Sequence, residues 1–134
     1  MYMLDTNICV SVIREKHPNV LSNLNTKRSL GLSISTITLA ELEHGVNKSS
    51  RKEQNAIALA SFLSIIEIRR FDEKAARMYG AIKADIERRG CVIGSLDILI
   101  AAHAKSAGTI LATNNTREFE RVQGLRIEDW ISLT

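Results

Sequence analysis

The sequence predicts an α/β sandwich: a mostly parallel, short-stranded sheet flanked by helices. Two observations point there. Short apolar or alternating segments end abruptly at polar residues, and between them lie longer segments with helical apolar periodicity. The 134 residues, 45% hydrophobic and 25% charged, match ordinary globular usage and suit a single domain over 1–134 with a real core. This excludes a disordered tail, a collagen-like chain and a mini-protein that needs cross-links.

Met1–Leu4 reads as an apolar strand stopped by Asp5, and Thr6–Arg14 as a turn into a short helix. Pro18, suited to a first helical turn, opens a helix through Leu24. Leu30–Ser35 alternates Leu, Gly, Leu, Ser, Ile, Ser, the period of a strand. Thr36–Asn47 turns helical, with Ile37, Ala40, Leu42 and Val46 on one side and Ser35 or Thr36 as cap. Arg51–Ile65 is a helix whose inner face is read as Ala56, Leu59, Ala60 and Leu63. Glu67–Phe71 suits a short strand. Asp72 then caps a long helix to Arg89, striped by Ala75, Tyr79, Ile82 and Ile86 and stopped by Gly90. Leu96–Lys105 is apolar except for Asp97 and His103, so it is expected to be buried against the sheet. Thr109–Thr113 and Leu125–Trp130 complete the strands.

No apolar run approaches the roughly 20 residues of a membrane span. The opening Met-Tyr-Met-Leu-Asp has no basic segment and an acid at position 5, unlike a signal peptide. Cys9 and Cys91 lie far apart and are expected to be free, mostly buried thiols in a reducing cytosol. The net charge of +3 hints at a nucleic-acid partner, more so if several acids cluster in one place. With 4% aromatics, no platform for stacking bases is expected.

Ligands of open α/β sheets bind beyond the carboxyl ends of the strands. Asp5 follows the first strand, Glu41 lies early in the helix after the second, and Asp97 sits in the first turn of an apolar helix. Singly each suits a turn or a helix N-terminus. Gathered at one edge they would raise one another's pKa unless a cation joined them. Oxygen ligands of this kind suit Mg²⁺ or Mn²⁺ and leave room for a phosphate oxygen and a water.

Leu4-Asp5-Thr6-Asn7, the Thr36–Leu42 segment followed by Gly45, and Ile93–Ala104 resemble the motifs of PIN-domain ribonucleases. Leu111–Phe119 and Gly124–Trp130 resemble the VapC toxins of bacterial toxin–antitoxin pairs, and the blocks run in family order over essentially the whole chain. The resemblance implies a PIN-like three-layer sandwich and makes Asp5, Glu41 and Asp97 metal-binding, catalytic acids. Glu118 is the fourth, with Asn115 the alternative at that position. Thr6 and Asn7 would orient Asp5, and Thr113 and Asn115 would be polar helpers. It implies a cytoplasmic, homodimeric, Mg²⁺- or Mn²⁺-dependent endoribonuclease toxin. A water activated by the ion would cut a structured RNA such as tRNA, leaving a 5′-phosphate and a 3′-hydroxyl, and a VapB-like antitoxin would neutralise it.

Several other readings compete. Glu41-Leu42-Glu43-His44 has a di-iron spacing but no second copy. No Gly-x-Ser-x-Gly, P-loop or Gly-x-Gly-x-x-Gly occurs. A phosphoacceptor receiver would need an acid pair after the first strand and a late lysine. His103, six residues after Asp97, is expected to be a satisfied, partly buried histidine. The cations at Lys27-Arg28, Lys48 with Arg51-Lys52, Arg69-Arg70 and Arg88-Arg89 read as solvated helix ends. Arg117 and Arg121, beside the acids, are the better candidates for RNA phosphates. Leu21, Leu24, Leu59 and Leu63 suit core, a groove or a dimer seam. The second function class is a PIN-like RNA-binding or regulatory module without turnover, favoured by an amide at position 115.

Overall fold

The structure is a computed structural model in which residues 1–132 are described. Its strands are β1 (Tyr2–Leu4), β2 (Leu32–Ser35), β3 (Glu67–Arg69), β4 (Ile110–Thr113) and β5 (Ile127–Asp129). Its helices are α1 (Thr6–Ile13), α2 (Pro18–Lys27), α3 (Thr36–Lys48), α4 (Lys52–Leu63), α5 (Glu73–Arg88), α6 (Ser95–Ser106) and α7 (Thr116–Phe119). The sheet order is β3-β2-β1-β4-β5 and all four strand pairings are parallel. The chain winds outward from β1 to β3, then returns to place β4 on the other side of β1. Beyond the carboxyl ends of β1 and β4 lies the point where winding reverses, the usual ligand crevice of such sheets.

Strand alternation divides the core into two layers. Tyr2, Leu4, Leu32, Ile34 and Ala112 face one way, against Ile8, Val20, Leu24, Leu59 and Phe62. Met3 and Leu111 face the other way, against Ile82, Ile86, Ile98, Ile100 and Ala101. Successive strand side chains point to opposite faces, so apolar residues on both parities require helices on both sides. The three-layer sandwich expected from the sequence is what forms, and α6 packs on β2, β4 and α5 as its composition implied.

Some expectations shift. Leu30 is not in a strand: Arg28–Leu30 is a 3₁₀ turn, Leu30 is 58% exposed, and Gly31 makes the bend into β2 at φ +92°. The inner face of α4 is Leu59 and Phe62, while Ala56 and Ala60 are exposed. Alanine contributes little to burial, so the larger side chains set the rotation of the helix. Ala40 is likewise exposed, and α3 buries Thr38 and Leu42. Leu24 and Leu59 are core, with Leu63 packed against it. Cys9 is buried and Cys91 only half-buried, both free. Helix α7 was not expected from the sequence. Among the described residues no helix is long and apolar enough to cross a membrane.

Candidate active site

Asp5 ends β1 and caps α1. Its backbone N–H donates to the Ala112 carbonyl (2.9 Å), which keeps the residue in sheet register beside β4. Its Oδ1 accepts from the Thr6 N–H (2.7 Å) and its Oδ2 from the Thr113 hydroxyl (2.8 Å). The carboxylate is 3% exposed. Burial raises its pKa, Glu41 and Glu118 push the same way, and the two hydrogen bonds oppose them.

Glu41 comes from the second turn of α3. The Thr6 hydroxyl donates to its Oε1 at 2.6 Å and stands 3.3 Å from the buried Thr38 hydroxyl. The Thr6 side chain therefore positions Glu41, while its backbone N–H serves Asp5. Asn7 is exposed on α1, and its side chain makes no hydrogen bond to Asp5 among the described residues.

Asp97, half-buried in the first turn of α6, has its pKa raised to about 7. Desolvation is the largest cause, followed by the charges of Asp5, Glu118 and Glu41 and a hydrogen-bonding contact with Glu118. Gly94 caps α6 from the same place. A Cβ built on it would lie 3.4 Å from Asp97 Oδ2 and 3.8 Å from Glu118 Oε1. Glu118 crosses from α7 to this point: Oε1 accepts from the Gly94 N–H (2.8 Å) and Oε2 from the Asn115 amide (2.5 Å). The Asn115 N–H in turn donates to Thr113 Oγ1 (2.9 Å). Thr113 thus links Asp5 to Asn115, and Asn115 links Thr113 to Glu118.

The four acids come from four separate segments and influence one another's charge. None of them is ion-paired with a lysine or arginine among the described residues. Nor do three of them already close on one point as a finished coordination shell. They form a ring of oxygen donors whose crowded charge a hard divalent cation would relieve. In donor chemistry and charge the ring suits Mg²⁺ or Mn²⁺.

Arg117 is exposed on α7. Arg121 donates to the Val92 carbonyl, bracing the loop into α6, and Arg89 donates to the Arg121 carbonyl while pairing with Asp85 at 2.8 Å. Lys27 pairs with Glu128 away from the acids, beside Tyr2 and Trp130. His103 is buried, its Nδ1 2.8 Å from Ser35 Oγ and its ring edge-on to Phe71, so it joins α6 to β2. His44 is exposed on α3, and the Glu-x-x-His spacing gathers no second set of ligands.

Two features of the site were missed in the sequence. One is α7 itself. Its signal was present, because Asn115-x-x-Glu118 has the form of a capping box. The other is the reach of Thr6 to Glu41, a contact between residues 35 apart for which the sequence carries no signal.

Comparison with known proteins places this arrangement. The PIN domain family matches residues 2–125. The chain is 45% identical over 129 residues to the tRNA(fMet)-specific endonuclease VapC of Shigella flexneri, covering 96% of this chain and 97% of that protein. It is 44% identical over 131 residues to ribonuclease VapC2 of Rickettsia felis, covering 97% and 98%. Among solved structures it resembles VapBC2 of Rickettsia felis bound to a fragment of its promoter DNA, with a TM-score of 0.92 at 42% identity and coverage of 96% and 98%. It also resembles DNA-bound VapBC of Salmonella typhimurium, with a TM-score of 0.91 at 43% identity and coverage of 96% and 97%.

Proposed function

The chain belongs to the PIN-domain family, among the VapC ribonucleases, and from that premise we propose how its acids work and on what. It is a divalent-metal-dependent endoribonuclease. Mg²⁺, with Mn²⁺ able to substitute, is the ion proposed, and a structured RNA of the tRNA class is the substrate. A VapB-like antitoxin is the partner that masks the site. The active form is taken as a homodimer in the bacterial cytoplasm, where structured RNA is found. The observation that carries the reading is the convergence of Asp5, Glu41, Asp97 and Glu118 where the winding of the sheet reverses, with no protein cation paired to them among the described residues.

The chemistry supplied by a bound Mg²⁺ is positive charge at the scissile phosphate and a water made nucleophilic at neutral pH. The protein's part is placement. Asp5, held by Thr6 and Thr113, is the one buried carboxylate of the four. Glu41 is held through one oxygen by the Thr6 hydroxyl, and Glu118 through both, by the Gly94 N–H and the Asn115 amide. Asp97, in its ionised form, would complete the set of carboxylates that hold the ion. Hydrolysis by such a water would form one P–O bond and break the bond to the 3′ oxygen, with the net transfer of one water proton to that oxygen, leaving a 5′-phosphate and a 3′-hydroxyl. Having few aromatics, the protein selects RNA by shape and phosphate contacts.

Expression of the chain alone tests this reading. It should arrest growth, and tRNA from the arrested cells should carry new 5′-phosphate ends. Asp5→Ala, at matched protein level, should relieve the arrest and remove the ends. If wild type and variant are equally harmless, the reading fails and an RNA-binding module without turnover takes its place.

A further inference from the structure

Gly45 lies inside α3, where glycine is, after proline, the poorest helix former. Neither usual structural reason for a glycine applies. Its φ is not positive, and a Cβ built on it would meet no atom within 4 Å. The space above it opens into a groove of about 540 Å³ between α1, α3 and α4. Thr6 and Glu41 line its inner end, so the groove starts at the acid cluster. Arg14, Lys48 and Arg51 line it further out, and Glu41 is its one acidic lining residue among those described. None of the three cations is ion-paired among the described residues.

We propose that this groove seats the RNA strand as it leaves the scissile phosphate. Arg14, Lys48 and Arg51 take successive backbone phosphates, and a sugar or base passes over Gly45. The proposal rests on the ribonuclease reading and names where that substrate lies. The order of charge along the groove suits a polyanion: acids at one end, where an ion and the reacting phosphate belong, and unpaired cations beyond. Aliphatic side chains such as Val10 and Leu42 form walls that suit the faces of a sugar or base. Gly45 is the position where an added side chain would enter the passage, its Cβ meeting no atom within 4 Å.

Gly45→Leu fills the groove while improving helix propensity, so its thermal midpoint should equal or exceed that of wild type. Its KM for tRNA should rise about tenfold, as when one good hydrogen bond to the strand is removed. Its kcat should change far less, and Gly45→Ala should fall between. Lys48→Ala combined with Arg51→Ala should flatten the salt dependence of RNA binding, by roughly 0.7 in log–log slope for each single-strand phosphate deprived of its cation. RNA affinity is measured in EDTA as well, so that binding is read apart from cleavage. If wild type binds and cleaves tRNA while Gly45→Leu keeps the same KM and metal-free affinity, the groove assignment falls and the ribonuclease reading stands. If Gly45→Leu cleaves normally but escapes inhibition by a partner protein, the groove belongs to that partner and the proposal is overturned. If wild type neither binds nor cleaves structured RNA, the ribonuclease reading itself falls.

Discussion

Thr113→Val changes almost no volume and removes one hydroxyl from a fully buried position. That hydroxyl donates to Asp5 Oδ2 at 2.8 Å and accepts the Asn115 N–H at 2.9 Å. A hydrogen bond to a charged group contributes about 1.5–3 kcal/mol. The variant should therefore lose about 2 kcal/mol at pH 8 without metal, on the order of 5–10 °C in Tm for a domain of this size. Burial already raises the Asp5 pKa, and the Thr113 bond is the largest influence lowering it. Without that bond the carboxylate is harder to ionise. The stability difference should thus shrink as pH falls and Asp5 protonates in both proteins. Losing an orienting partner also weakens metal binding, by about 10–100-fold. The assays are thermal unfolding by circular dichroism across pH and cleavage rate against Mg²⁺ concentration. Thr109→Val is the control. Its buried hydroxyl donates to the Ala104 carbonyl (3.1 Å), away from the acids. It should lose stability and leave the Mg²⁺ requirement unchanged. If Thr113→Val matches Thr109→Val in Mg²⁺ requirement, Thr113 does not act through Asp5.

Two further predictions concern the ring of acids. Asp97 has a native pKa of about 7, above its value in the unfolded chain, so it lowers stability as pH rises from about 4 to 7. His103, whose pKa burial lowers, acts with the opposite sign near its unfolded pKa, so the informative quantity is a difference between proteins. Relative to Asp97→Asn, metal-free wild type should become less stable from about pH 4 to 7 and level off above that, and saturating Mg²⁺ should remove the trend. Parallel pH profiles for the two proteins would refute this. The other prediction concerns the fourth ligand. Glu118→Gln should raise the Mg²⁺ concentration for half-maximal cleavage more than Asn115→Ala, because Asn115 reaches the ring through Glu118. The reverse order would move the fourth position to Asn115.

The parts of this molecule legible in its sequence are those where one residue type has one physical use at one place. Asp5 after an apolar strand, and Asp97 on a helix otherwise made largely of Leu, Ile and Ala, stand out because their neighbours are so uniformly apolar. The parallel sheet follows from apolar residues at both parities of β1 and β4. Legibility fails where the cause lies in space. The rotation of α4 depends on Leu59 and Phe62 finding the layer under β2, and a pattern of alanines is a weak guide to that. Helix α7 is a single turn whose geometry is fixed by Glu118 reaching Gly94, 24 positions away. The groove over Gly45 is lined jointly by α1, α3 and α4, a juxtaposition that no local pattern encodes.

The most direct measurement is cleavage of tRNA by purified wild type and Asp97→Asn, with Mg²⁺ and with EDTA, beside their circular dichroism spectra. The amide can still occupy a helix first turn but cannot bring a negative charge to the ring. The expected result is two equally folded proteins, of which only wild type cuts, only with the divalent ion, leaving 5′-phosphate ends. A well-folded Asp97→Asn that cleaves as fast as wild type, or wild-type cleavage that persists in EDTA, would contradict the assignment of these acids to a metal-binding nuclease centre.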